Sequence, residues 1–138
     1  MSHFTKLDKA NIIDKDAFIK ACAELGLTSV LHNAKIKDFY GQEIRVDVAI
    51  EAGKYHIALK KNSNGQYDLI ADFWGIRTSC PEKLRAAIKG EITDNAIQDM
   101  ILKHTTKNTI VSKYSKMGYR ASVTEDADQN IQVELIKY

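Results

Sequence analysis

The sequence is poor in the residues that build covalent or fibrous scaffolds, with two cysteines, one proline and seven glycines among 138 residues. This composition excludes a disulfide framework and a collagen-like repeat. Cys22 and Cys80 lie far apart with no second thiol near either, which excludes a zinc ribbon and a paired redox motif. No apolar run approaches the roughly 18 residues of a membrane-spanning helix. We therefore expect an ordinary globular protein.

The size and charge of the chain predict one soluble domain. A chain of 138 residues is long enough for one sizeable hydrophobic core and short for two. Basic residues number 20 and acidic residues 18, so the net charge is only +2. We expect residues 1–138 to form a single domain. The opening residues 1–6 lack the apolar run of a secretion signal, so a cytoplasmic location is expected.

The N-terminal region predicts a short strand followed by a helix. Residues His3–Leu7 alternate weakly in polarity, as in a short strand. Asp14 is a favourable N-cap residue, and Gly26 is a typical helix stop. The apolar residues between them recur at helical spacing along one face: Phe18, Cys22 and Leu25. That stripe indicates a helix packed on a sheet.

The middle of the chain changes to the two-residue period of strands. Residues 44–51 alternate apolar and polar without a fault, which indicates a strand with one face on the core and one toward water. Similar patterns predict strands over 30–36, 55–60 and 67–73. The links Ala52–Lys54 and Asn62–Gly65 are too short for anything but antiparallel neighbours.

Helical periodicity returns after residue 75. Ser79 and Glu82 have the spacing of a capping box with Pro81 in the first turn, which predicts a short helix up to Gly90. A long helix is then predicted from Thr93 or Asp94 to Gly118, with a break near Thr105 possible because branched residues cluster there. The tail alternates again over 119–123 and 131–135, as in a terminal hairpin.

Taken together, the order strand, helix, four strands, helices and hairpin predicts an α+β domain. A mainly antiparallel sheet would carry the helices on one face. The other face of such a sheet is open to solvent or to a partner.

Four residues near the predicted sheet could form a ligand pocket beneath the long helix: Asp47, His56, Asp72 and Trp74. Paired carboxylates can do acid–base chemistry where burial separates their pKa values, but on the polar side of a strand they are more simply solvated partners of lysine and arginine. Trp74 is either a lid on the core or an exposed anchor for a partner. The histidines show no metal-ligand spacing, so no metal site is predicted.

A second candidate site is a basic cluster late in the chain, without acidic residues among residues 103–120: Lys103, Lys107, Lys113, Lys116 and Arg120. Such a cluster could attract phosphate or nucleic acid. Cations are also favoured near a helix C-terminus by the backbone dipole, which is the simpler interpretation. Nucleic-acid binding is therefore not the leading expectation.

The sequence contains no catalytic constellation that we can assign. It has no glycine-rich phosphate loop, no Gly-x-Ser-x-Gly elbow and no His-Glu-x-x-His helix. A thiolate at Cys80 would be favoured by the following helix N-terminus, but no activating histidine or lysine can be placed beside it. We predict no catalytic residue and no cofactor.

Several short segments, in order along nearly the whole chain, resemble the hypothetical chloroplast open reading frame thirty-five family. These segments are Met1–Lys6, Glu24-Leu25-Gly26, Tyr40-Gly41-Gln42, Val46–Ile50, Tyr67–Asp72 and Lys116-Met117-Gly118-Tyr119. The resemblance implies a small soluble protein of a family found in plastids, cyanobacteria and other bacteria, and it brings no established active site. Leu102-Lys103-His104 and Lys137-Tyr138 depart from the family pattern, as does a longer stretch over 77–95, which implies a divergent member.

These observations favour a non-enzymatic binding or adaptor domain. Its exposed sheet face or a strand edge would hold a protein partner or a second copy of the same chain. The alternatives are a small enzyme or ligand-binding domain with the pocket described above, and a nucleic-acid binder that uses the late basic cluster.

Overall fold

The computed structural model describes residues 5–7, 14–38, 40–125 and 131–137, and it has the predicted α+β fold. Its strands are β1 (Thr5–Leu7), β2 (Val30–Lys37), β3 (Glu43–Ala52), β4 (Tyr55–Lys61), β5 (Tyr67–Ala71), β6 (Tyr119–Glu125) and β7 (Ile131–Lys137). Its helices are α1 (Lys15–Glu24), α2 (Phe73–Thr78), α3 (Glu82–Ala87) and α4 (Asp94–Ser115). Residues 3 and 4 of the predicted first strand lie outside the described residues.

Five strands form one antiparallel sheet in the order β1-β5-β4-β3-β2, and β6 and β7 form a separate hairpin. The short links dictate this order, because each successive strand from β2 to β5 folds back on the one before it. Strand β1 then joins the far edge, beside β5.

The main core lies between this sheet and the helices. Phe18 of α1 and Leu25, its C-cap, join Ile50 and Ile57 of the sheet and Ile101 of α4 in one buried cluster. The predicted stripe on α1 is confirmed, since Phe18, Cys22 and Leu25 are all fully or almost fully buried. Helix α1 therefore packs as its apolar spacing predicts.

The second face of the sheet is partly buried. The prediction that this face is open to solvent or to a partner was therefore wrong for its centre. Ala49 and Ala58 are paired across β3 and β4 and are completely buried, and Ile70 on β5 is almost so. Ile36 and Val46 join the two alanines in a second, smaller cluster. Because Ala49 and Ala58 are small, the side chains of Ile36 and Val46 can pack over them. This face of the sheet therefore has a small hydrophobic core of its own.

A local bend in the β2–β3 hairpin explains why strict alternation fails. Val46 belongs to the second cluster and Val48 to the main one. Two residues spaced i and i+2 would lie on the same face of a regular strand. Pairing of β3 with β4 ends at Val48–Leu59. Asn33, which falls opposite Asp47 in the register, has φ of +50°, a left-handed conformation that asparagine tolerates better than most residues. Strand β3 is therefore twisted between Val46 and Val48, so that these two side chains point to opposite faces of the sheet.

The sequence analysis did not predict helix α2, because Phe73 and Trp74 continue the apolar run of the preceding strand. Strand β5 ends at Ala71, and Asp72 caps α2 by accepting a hydrogen bond from the Gly75 N–H at 3.0 Å. Phe73, predicted as the end of the strand, is instead the first residue of α2. Gly75 then fits against the Tyr55 ring, from which an added Cβ would be only 2.8 Å away.

The predicted capping box at the next helix does not form. Helix α3 begins at Glu82 with Pro81 as its N-cap, and no side chain caps it. The Ser79 hydroxyl instead donates to the Gly75 carbonyl at 3.2 Å. Ser79 therefore bonds to the end of α2 rather than to the start of α3. The break considered near Thr105 is also absent, since α4 is continuous over Asp94–Ser115 and the Thr105 hydroxyl donates to the Ile101 carbonyl inside it.

Thr93 is the N-cap of α4, and its hydroxyl accepts a hydrogen bond from the Ala96 N–H at 3.0 Å. We expect Thr93→Ala to lower the free energy of unfolding by about 1 kcal/mol, because one N–H of the first turn loses its partner. Asp14→Ala is the matched control at the N-cap of α1, where the side chain makes no capping hydrogen bond. Equal losses for the two variants in urea titrations would contradict the assigned cap.

Candidate functional site

The structure does not bring all four predicted ligand residues together. His56 is opposite Glu51 in the register of β3 and β4, and Asp47 lies four residues earlier on β3. At a strand's rise, this separation is about 13 Å. The Asp47 carboxylate accepts a hydrogen bond from the Lys61 N–H at 2.7 Å, at the other end of β4.

Asp72 and Trp74 lie at the His56 end of the sheet. Asp72 directly follows Ala71, which pairs with Ile57, so the register carries Asp72 toward His56. Its buried carboxylate is used as the cap of α2, while Trp74 on that helix is half-buried. Partial burial lowers the pKa of His56, and the negative charge of Glu51 partly opposes that effect.

The predicted basic cluster is distributed rather than concentrated. Lys103 and Lys107 lie on one side of α4, and Lys113 lies about a third of a turn away from them. Lys116 follows the helix end and Arg120 lies on β6, both exposed. Because Lys107 is engaged with Glu24, the five residues do not form one free basic stripe.

The densest polar contacts among the described residues join the end of α1 to the middle of α4. The Glu24 carboxylate accepts hydrogen bonds from Lys107 Nζ at 2.6 and 2.8 Å and from Asn108 Nδ2 at 2.8 Å. His104 Nδ1 lies 3.3 Å from Glu24 Oε1. We call these four residues the Glu24 network. They hold α1 and α4 together beyond the apolar core.

Sequence reasoning missed the Glu24 network because its acid and its donors lie about 80 positions apart. One signal was available, since His104, Lys107 and Asn108 have the i, i+3 and i+4 spacing that places side chains on the same side of a helix. Nothing in the sequence indicated which acid would face them.

The Glu24 network predicts an acid-sensitive contribution to stability. Partial burial raises the pKa of Glu24, but the hydrogen bonds from Lys107, Asn108 and His104 and the charge of Lys107 outweigh it, so the net pKa is lowered. A carboxyl with a lowered folded-state pKa stabilises the fold above its unfolded pKa, and the contribution is lost as pH falls through the folded pKa. We expect stability to fall below about pH 4.5 less steeply in Glu24→Gln than in the parent.

The control for this experiment is Glu43→Gln, because the carboxylate of Glu43 lies 3.8 Å from Lys37 Nζ in an ion pair whose two side chains are both exposed. We expect Glu43→Gln to leave the pH profile of the unfolding free energy close to that of the parent. If both variants reduce the acid-side pH dependence of the unfolding free energy equally, the Glu24 network makes no specific contribution to acid sensitivity.

The part of α4 from Leu102 onward and the hairpin form a distinct surface, which we call the arm (residues 102–125 and 131–137). The first half of α4 buries Ile97, Met100 and Ile101 in the main core. Within the arm only Thr105 and Asn108 are buried, and both are polar. The arm therefore contributes little apolar burial of its own, while its hairpin presents apolar side chains.

The hairpin packs on α4 through one face and leaves open grooves. Tyr119 meets Tyr114 edge-to-face with ring centroids 5.6 Å apart. A groove of about 450 Å³ remains between α4 and β7, bounded by Leu102, Ile110 and Val133 among others. Val123 and Ile136 of the hairpin are 43% and 49% exposed. A groove of mixed apolar and polar lining beside exposed strands can accept a polypeptide.

Other chemistry at the surface is limited within the described ranges. Among residues 5–7, 14–38, 40–125 and 131–137, no group of three or more His, Cys, Asp or Glu side chains could hold a metal ion. Burial raises the pKa of the Cys80 thiol, and the charge of Arg85 only partly opposes it, so the helix start does not favour a thiolate. Burial raises the pKa of Cys22 to about 12. None of the described helices has the length and apolar character to cross a bilayer.

Comparison with known proteins places the chain in a family without assigning its chemistry. No curated protein and no solved structure matches it. A family model described as a protein of unknown function, DUF1257, matches residues 21–135. This match begins within α1 and ends within β7, so it includes β2 to β5 of the sheet, α4 and most of the hairpin. Because it covers well over half of the sequence, the chain belongs to the DUF1257 family.

Proposed function

We propose that this chain is a protein-binding module that receives its partner on the arm, by strand addition to the hairpin. The observation that carries the proposal is the exposed apolar hairpin, whose two strands pair only with each other among the described residues. A two-stranded hairpin is marginally stable alone, and its outer edges offer unpaired backbone groups to a further strand. A partner strand would stabilise the hairpin and cover its edge.

The other edge available for strand addition is less suited to it. Strand β2 is a sheet edge of eight residues, but Asn33 interrupts it with a left-handed conformation. Exposed Lys35 and Lys37 lie farther along it. Backbone distortion and lysine residues are features that protect sheet edges from unwanted pairing. The hairpin strands have regular pairing through all seven positions and lack such a distortion.

The sheet-face version of an adaptor role receives less support. Ala49, Ala58 and Ile70 already pack inside the protein on the second face, so a partner would meet mainly the surrounding polar rim. The arm offers more exposed apolar surface on regular strands. For this reason we assign the partner to the hairpin edge rather than to the broad face of the sheet.

Site-specific photo-crosslinking in the native host cells tests this proposal. A photoreactive residue at Val123, on the arm, is compared with one at Leu31, on the β2 edge; these side chains are 43% and 45% exposed, so accessibility is matched. We expect discrete adducts to another polypeptide chain, of the same or a different kind, from position 123 and not from position 31. Adducts from position 31 alone, or from neither position, would contradict an arm-based interface.

We also propose that the chain is a divergent member of the hypothetical chloroplast open reading frame thirty-five family. The ordered segments quoted above support this narrower placement, including Tyr67–Asp72, which forms β5 and the cap of α2, and Lys116–Tyr119, which links α4 to the hairpin. A solved structure of a plastid or cyanobacterial member tests the placement. We expect the same strand order with a helix capped at the position of Asp72, and a different topology would contradict it.

A cytoplasmic location is part of the same proposal. Its support is that Cys22 and Cys80 are both free thiols, which suits a reducing compartment. Cell fractionation with antibodies to the native protein tests it, and recovery in an oxidising or membrane-bound fraction would contradict it.

A further inference from the structure

We infer that the strand added to the hairpin is β6 of a second copy of this chain, so that two hairpins form one continuous four-stranded sheet in the order β7-β6-β6-β7. This inference rests on the proposed function and names its partner. It follows from the residues that two-fold pairing of β6 with β6, or of β7 with β7, would place opposite one another. Antiparallel strands related by a two-fold axis must be self-complementary, because every contact occurs twice.

Strand β6 is self-complementary over its full length. With the two-fold axis at Ser122, the seven residues of Tyr119–Glu125 pair completely, and Ser122 faces its own copy. Ala121 then lies opposite Val123, and Tyr119 lies opposite Glu125. Arg120 lies opposite Thr124, so no like charges meet. Small hydroxyl residues and apolar pairs in opposite positions stabilise antiparallel neighbours.

Strand β7 does not have this property. Full-length pairing of Ile131–Lys137 about a two-fold axis would place Glu134 directly opposite Glu134 of the second copy. Like charges in opposite positions are destabilising. Moving the axis to Val133 avoids that pair, but residues 136 and 137 then lose their partners within the strand. The pairing pattern therefore favours β6 over β7.

The exposed side chains around β6 are consistent with such an interface. Val123 is 43% exposed in the single chain, although it lies on the same side of the hairpin as the half-buried Ala121 and Val133. In the paired arrangement Val123 gains Ala121 of the second copy as its direct neighbour. Pairing of the two β6 strands thus gives the exposed Val123 side chain a specific apolar contact.

Cysteine crosslinking of the purified full chain tests the register. Three single variants, Ser122→Cys, Thr124→Cys and Glu134→Cys, are made in a Cys80→Ser background, in which the remaining Cys22 is buried. All three positions are exposed. In the inferred dimer only residue 122 faces itself, at a Cβ separation suited to a disulfide, whereas two copies of residue 124 are about 13 Å apart.

We expect mild oxidation to give at least about ten times more reducible dimer from Ser122→Cys than from either control, since the geometry of a disulfide is restrictive. Light scattering should show a concentration-dependent dimer mass for the parent chain under reducing conditions. Dominant crosslinking at 134, equal crosslinking at all three positions, or a monomer without crosslinks would each overturn the inference. In any of those cases, photo-adducts from Val123 to a different polypeptide would still support the arm as the binding surface, so the two failures are distinguishable.

Discussion

Phe18→Ala is expected to lower the free energy of unfolding by about 3–5 kcal/mol, the range typical of a buried aromatic residue truncated to alanine. The Phe18 side chain is completely buried in the main core, where α1 faces the sheet and α4. Its removal takes away apolar burial and leaves a cavity that the antiparallel sheet cannot readily collapse to fill. Urea unfolding followed by circular dichroism measures the loss.

Lys20→Ala is the matched control on the same helix, because Lys20 is exposed two residues further along. We expect that substitution to change stability by no more than about 0.5 kcal/mol. A loss of less than about 1 kcal/mol for Phe18→Ala would mean that α1 does not pack on the sheet as described.

Gly53→Ala is expected to have the second large effect, because two costs coincide at this glycine. Gly53 has φ of +70° in the two-residue turn between β3 and β4, where an alanine pays about 1–2 kcal/mol of backbone strain. An added Cβ would also overlap the carbonyl oxygen of Ser79. Because that oxygen belongs to the backbone, relieving the overlap requires α2 and the turn to move apart, at about 1–3 kcal/mol more.

Gly65→Ala separates the two costs. Gly65 has φ of +78° in the turn between β4 and β5, and nothing lies within 4 Å of a Cβ built there. We expect Gly65→Ala to show the backbone cost alone, so Gly53→Ala should be the more damaging variant in thermal and urea unfolding. Equal losses would show that the turn does not pack against Ser79.

The strongest sequence patterns predicted the sheet because they depend on neighbouring residues. The alternation in β3 and the Gly53 turn determine a hairpin locally, and the structure extends β3 by only one residue at each end. The stripe on α1 likewise needs only spacing along one helix. Features of this kind can be predicted from the sequence because each residue's role follows from its near neighbours.

Helix α2 shows where the local signal was ambiguous. Phe73 continues the apolar pattern of β5, so a strand could be extended through it. Asp72 was nonetheless a usable signal, since aspartate is a preferred N-cap and its carboxylate bonds the N–H three residues later. Two local patterns competed there, and the cap determined the outcome.

The Glu24 network and the second core required tertiary information. Which acid reaches His104 and Lys107 depends on how α1 crosses α4, and no spacing in the sequence fixes that crossing. The burial of Ala49 and Ala58 depends on the bend near Asn33, which brings Ile36 and Val46 over them. Neither arrangement follows from periodicity. The four predicted ligand residues were likewise assigned to one site without knowledge of the register that separates Asp47 from His56.

The arm contributes little to the buried core of its own chain. The sheet, α1 and the first half of α4 share one continuous core, which accounts for a stable fold without the hairpin contributing a buried residue. Most of the hairpin, up to residue 135, nevertheless lies within the family match. An element that adds little burial to its own chain gains stability when a partner covers it, and such elements open most easily when free.

Native-state hydrogen exchange of the full chain as a function of protein concentration tests the role of the arm most directly. In dilute solution we expect backbone amides of β6 to exchange at least about 100 times faster than those of Ile57–Leu59 in β4, because local opening of the hairpin leaves the main core intact. Raising the concentration should slow exchange in β6 and leave β4 unchanged. Protection of β6 equal to that of β4 at every concentration would contradict this account, because the hairpin would then be an integral part of the core.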